Sequence, residues 1–223
     1  MTFLACLWAV IGAALFSVQP ILGGKLSLRT TPWMGWVLWG AVALPSLLQI
    51  PYPWLYEALH RSASAVLDDQ QWWRVATALV VQDGGIAGTV SNLVLLAVAL
   101  LFCLPLWGVW ATVLSFLLVG VGLNLAAVLA GADDGAGNSG ATLPLLATLP
   151  LLALAILPNH RWRAMASALI TGVAALVLIV VNDGHGIAVL LGLALGFVGM
   201  PYARWRARSG LMPTNDQVVS SPG

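Results

Sequence analysis

The sequence predicts an all-α polytopic membrane protein, and three observations carry that prediction. Of the 223 residues 60% are hydrophobic and 8% charged, with a mean hydropathy of +0.94. A soluble domain carries about 25% charged residues and needs them to cover its surface. Apolar runs near the ~20 residues that span a bilayer recur seven times. The charges fall between those runs and sort by side. A net charge of +1 points away from nucleic acid as a partner. Cys6 and Cys103 lie inside apolar runs, so two buried thiols are expected rather than a disulfide framework.

The first run, Thr2 to Leu22, has no cation ahead of it, and Lys25 follows it. A secretory signal places its basic residues in front, so the run reads as a retained span. The second covers Trp33 to Ile50, the third Ile86 to Leu106 and the fourth Gly108 to Ala130. The fifth begins at Ser139 and stops before Pro158, the sixth covers Ala164 to Val181, and the seventh His185 to Tyr202. The fifth and sixth are short enough that each alone also fits a buried soluble helix. Between the second and third lies the longest loop, Pro51 to Gly85, where Trp54, Tyr56, Trp72 and Trp73 stand among charges. Such aromatics favour the headgroup level, so a helical, partly embedded loop is expected. The polar tail after Arg208 reads as disordered. The chain thus divides into an extra N-terminal helix and loop (1–32), a six-span core (33–203) and a basic, then disordered tail (204–223).

With seven spans, one side holds Lys25, Arg29, Arg161, Arg163, Arg204, Arg206 and Arg208. The other holds Glu57, Asp68, Asp69, Asp83, Asp133, Asp134 and Asp183 against Arg61 and Arg74 alone. Cytoplasmic loops hold the cations, so the expectation is an external N-terminus and a cytoplasmic C-terminus in a plasma or inner membrane.

Polar groups at membrane depth are costly and demand partners, and three sets stand out near the outer side. Asn92 lies early in the third span, Ser139 where a Gly-rich loop enters the fifth, and His185 in the first turn of the seventh. Singly, each fits a humbler role: a turn residue, a helix cap, a helix-packing amide. Together they are the parts of acyl transfer: a nucleophile, a base and an oxyanion donor. After His185, the residues Ala188, Gly192, Gly196 and Gly199 form one small face, which admits a close partner helix. If that partner starts at Ser139, the two side chains are drawn together. Asp183 stands two residues before His185, a spacing that on a helix points to another face, and it is set aside as a triad acid.

These residues resemble the rhomboid intramembrane serine proteases. The resemblance rests on Trp73-Arg74 in the long loop, Asn92 in the next span, Gly137-Asn138-Ser139-Gly140 as G-x-S-G, and His185 heading a Gly-rich last helix. It covers roughly Trp33 to Tyr202 and leaves the first helix as an addition. It implies a six-helix rhomboid-like bundle, with Ser139 as nucleophile, His185 as general base, and Asn92 with the Ser139 backbone N–H as oxyanion donors. Trp73, Arg74, Gly137 and Gly140 are implied as structural. The implied substrate is a transmembrane segment of another protein within the lipid bilayer, with no metal or organic cofactor. Gly88 stands where the family places a His four residues before the Asn, and Leu143 where an aromatic often stacks on the catalytic His. Pro144, Ala147 and Ala188 replace glycines. These departures leave a binding-only pseudoprotease as the alternative. A transporter is remote, because no acid or base lies mid-span.

Overall fold

Each apolar run becomes a helix, because a segment in lipid has no water to satisfy its N–H and C=O groups and must bond them internally. The computed structural model describes residues 2–22 and 32–212. The long helices are α1 (Thr2–Leu22), α2 (Trp33–Leu48), α6 (Gly85–Trp107), α7 (Val109–Leu129), α8 (Ser139–Ile156), α9 (Arg161–Val180) and α10 (His185–Arg208). Three short ones, α3 (Trp54–Leu59), α4 (Ala63–Leu67) and α5 (Arg74–Thr77), make up the long loop. Among the described residues there is no strand, only an isolated bridge between Arg61 and Gly135. The protein is an all-α polytopic membrane bundle, with six helices among the described residues long and apolar enough to cross a bilayer.

Three elements differ from their expected lengths. The sixth run, read as short, gains a 3-10 lead-in at Pro158–His160 and reaches 23 residues. The shortest is instead α2, at 16 residues, or about 24 Å of helix. At the other extreme, α10 runs past Tyr202 to Arg208; cations in a last turn meet the negative end of the helix dipole. Lys25, Arg29 and the tail from Pro213 lie outside the described residues.

The chain divides into two compact units. One comprises the described residues of Met1–Thr31, Leu101–Val109 and Leu143–Gly223. In it α1 packs along α9, and many of their buried positions are small: Ala13, Ala14 and Ser17 on α1, Ala164, Ser167 and Thr171 on α9. Small residues let helix backbones approach where no hydrophobic drive operates. At one end Arg163 lies 4.1 Å over the Phe16 ring and donates to Gln19.

The predicted small face of α10 is seated on α8. A methyl group on Gly192 would come 2.4 Å from the Pro144 carbonyl oxygen, and one on Gly196 would come 2.9 Å from Thr148 Cα. Both contacts advance along the two helices in the same direction, so α8 and α10 run parallel. Gly199 lies against the Trp107 ring, which a methyl would meet at 2.2 Å. The Trp107 indole N–H donates to Thr148 Oγ1 (2.8 Å) and that hydroxyl to the Leu145 carbonyl (2.7 Å). Cys6 and Cys103 are buried free thiols. A helix apolar on every side belongs inside, and α8 is 67% buried over its span against 22% for α7.

The other unit comprises Pro32–Leu100 and Trp110–Thr142. Here the aromatic loop is folded: Val66 of α4, Val75 of α5 and Val128 of α7 share a buried cluster, while Trp54, Trp72 and Trp73 stay exposed. Arg74 closes it, donating through Nη1 to the carbonyls of Glu57 (2.8 Å) and His60 (3.0 Å) and through Nε to Gln71 (2.6 Å). The last carbonyls of a helix lack intrahelical donors, and the guanidinium supplies them to α3.

Candidate active site

Ser139 is the first residue of α8, and the loop that delivers it is held at four successive points. Gly135 pairs with Arg61 in both directions, N–H to carbonyl, at 3.0 and 2.9 Å. The Ala136 N–H donates to Asp83 Oδ2 (2.7 Å). The Gly137 N–H donates to the Ala78 carbonyl (2.9 Å), and the Asn138 N–H to Gln82 Oε1 (3.2 Å). Arg61 reinforces this by donating to the Asp133 carbonyl (2.8 Å) and to Asn124 Oδ1 (3.1 Å). Tyr56 donates to Asp83 Oδ1. Burial and then the bonded carboxylate push its phenol above the usual value, which keeps the donor proton in place. Asn138 caps α8, its carbonyl accepting from the N–H groups of Ala141 and Thr142, both at 2.9 Å. The helix N-terminus thus begins at Ser139, with the partial positive charge of the helix dipole beside its hydroxyl.

Asn92, two turns into α6, meets this loop. Its Nδ2 donates to Gln82 Oε1 at 2.8 Å, which uses one of two amide hydrogens. Gly137 sits between the parts, at φ +137, a backbone state open to glycine and strained for other residues. A methyl there would lie 3.2 Å from Asn92 Nδ2, 3.4 Å from Gln82 Oε1 and 3.8 Å from Ser139 Oγ. Asn92, Gly137 and Ser139 therefore border one small space. Gly140 is different: a methyl there would touch only Leu123, at 3.9 Å, so glycine is not sterically required. Arg74 acts as described for α3, while Trp73 precedes α5 and is 56% exposed.

Gly88 has a physical reason to be glycine. A methyl on it would lie 2.0 Å from the Asp83 carbonyl oxygen, so the turn entering α6 occupies the place of any side chain. Leu143 is fully buried.

His185 heads α10 in the other unit, and here one expectation is corrected. Asp183, set aside because a spacing of two on a helix points away, is not on the helix. Gly184 is the N-cap of α10, so Asp183 lies in the turn before it and its side chain folds back. Its Oδ1 accepts the His185 N–H (2.9 Å) and stands 2.6 Å from His185 Nδ1.

No protein-family model matches the chain, and no curated protein or solved structure matches it.

Gln82 was missed in the sequence. It is 1% exposed and is the hub of a buried amide network. Its Nε2 donates to Ser46 Oγ (3.0 Å), and its backbone exchanges hydrogen bonds with the Gln49 side chain, at 2.9 Å to Oε1 and 2.8 Å from Nε2. The available signal was an amide directly after the apolar run Ala78 to Val81, where, once buried, it must be partnered. An open cleft of about 430 Å³ is lined by Gln49, Tyr56, Gln82 and Asp83 among others. Ser139 and Asn92 do not line it.

Proposed function

We propose that the chain is an intramembrane serine protease that cuts transmembrane segments of other membrane proteins near the outer membrane face. The observation that carries the reading is the shared space at Gly137, where a nucleophilic hydroxyl and an amide donor meet at a helix N-terminus. In this reading Ser139 Oγ attacks the scissile carbonyl, and His185 takes its proton and returns it to the leaving amine. The oxyanion is received by the second hydrogen of Asn92 Nδ2 and the Ser139 backbone N–H. Water then releases the acyl enzyme. Support for pairing Ser139 with His185 comes from the sequence, where each opens an apolar helix on the side that the charge pattern makes external.

The charge pattern supports an external active site and cytoplasmic termini for Arg161, Arg163 and Arg204 to Arg208. In this orientation α3 to α5 lie at the outer headgroup level, in a plasma or inner membrane. A rhomboid-like pseudoprotease that binds helices without cutting them is the second reading. The observation favouring it is the closed place at Gly88, which leaves Asn92 as the side-chain oxyanion donor.

Fluorophosphonate labelling and cleavage of a model transmembrane substrate separate the two. Wild type is expected to label at Ser139 and cut. Ser139→Ala and His185→Ala should each abolish cutting while staying folded, and the double variant should be no worse than either single one. Wild-type cutting by Ser139→Ala would end the protease reading at this site. Cysteine labelling at Ser209 should report from the cytoplasmic side; labelling from outside would reverse the topology.

A further inference from the structure

We propose that Asp183 is a positioning residue for His185, fixing the tautomer and direction of the imidazole; this rests on the protease reading above. The carboxylate is itself held in place. Where α9 ends, Asn182 adopts φ +59. Its N–H donates to the Ile179 carbonyl (2.9 Å) and the Asp183 N–H to the Leu178 carbonyl (2.8 Å). This pair of bonds closes a helix C-terminus in a fixed geometry. From that anchor Asp183 Oδ1 reaches the His185 N–H at 2.9 Å and Nδ1 at 2.6 Å, so backbone and ring are gripped by one oxygen.

A carboxylate accepts and does not donate, so the proton in the short contact belongs to Nδ1. The neutral ring then offers its lone pair at Nε2. A general base needs that tautomer, with Nε2 open to receive a proton. In this unit α8 carries no titratable side chain, and α9 carries only Arg161 and Arg163, in its first turn at the far end. On α10 itself the nearest charge is Arg204. The pair is partly open, with side chains 30% and 23% exposed for His185 and Asp183. The effect should therefore fall below the ~10⁴-fold of a buried triad acid.

The test is ¹⁵N-histidine NMR of the full chain in micelles, run beside cleavage assays. The His185 signals are assigned by their loss in His185→Ala. Wild type should show the Nδ1–H tautomer. Asp183→Ala should move it toward Nε2–H and lower kcat by about 10²-fold with little change in KM. Asp183→Asn keeps an oxygen to cap His185 N–H and so guards against a folding defect. Its amide N–H2 can donate to Nδ1 in place of accepting from it, so this variant too should favour the Nε2–H tautomer and lower kcat. Unchanged tautomer and kcat in both variants, with Ser139→Ala inactive, would overturn the positioning role and leave the protease reading standing. Wild-type cutting by Ser139→Ala would overturn both.

Discussion

Replacing Gln82 by Met removes every side-chain hydrogen bond at the hub while keeping its approximate volume. Three partners are affected: the Asn138 N–H, Asn92 Nδ2 and Ser46 Oγ. Ser46 keeps its own bond to the Val80 carbonyl (2.9 Å), so its loss is small. The Asn138 N–H is fully enclosed and Asn92 Nδ2 half so, and each orphaned buried donor costs about 1–3 kcal/mol. The backbone pairing with Gln49 survives, because it uses main-chain atoms of residue 82. The expected destabilisation is therefore about 3 kcal/mol, large against the 5–15 kcal/mol total of a typical domain. Since the Asn138 N–H anchors the residue before the nucleophile, cleavage per folded molecule should also fall by about 10-fold or more, as it does when a reacting group is misplaced. Stability is read by detergent unfolding and cleavage by a transmembrane substrate assay normalised to folded protein. A Gln82→Met protein within about 0.5 kcal/mol of wild type and equally active would show that the network neither holds the loop nor sets the site.

Asn92→Ala should lower the chemical rate by about 10² with substrate binding little changed; normal cutting would return Asn92 to helix packing. Gly88→Ala should destabilise by more than about 2 kcal/mol, since its methyl meets the Asp83 carbonyl, and Gly88→His should fail to raise activity. A well-folded, faster Gly88→His would refute the closed turn.

The helices were legible because lipid leaves a segment few options: apolar length alone indicates a helix. Their ends were less so. The second run closes early at Leu48 and the seventh continues to Arg208, since helix ends are set by caps and solvated charges rather than by hydropathy. Ser139 and Asn92 were found because both are polar in apolar surroundings and lie near a glycine. Gln82 obeys the same rule but stands beside Asp83, Gly84 and Gly85, where polarity passes for an ordinary turn. Asp183 was misjudged because periodicity assumed a continuous helix through it. One residue of N-cap, Gly184, is enough to turn its side chain back upon His185.

The seat of α10 on α8 behaves like a key in a lock cut at one spacing. Gly192 and Gly196 are one turn apart, and so are Pro144 and Thr148 against which they rest. A slip of one residue, about 1.5 Å along the axis, drives the Cβ of a neighbouring leucine into backbone that a glycine barely clears. A slip of a full turn fares no better, because it brings Ala188 or Met200 to one of the two seats. A side chain larger than hydrogen at either glycine would wedge the two backbones apart along the whole seat.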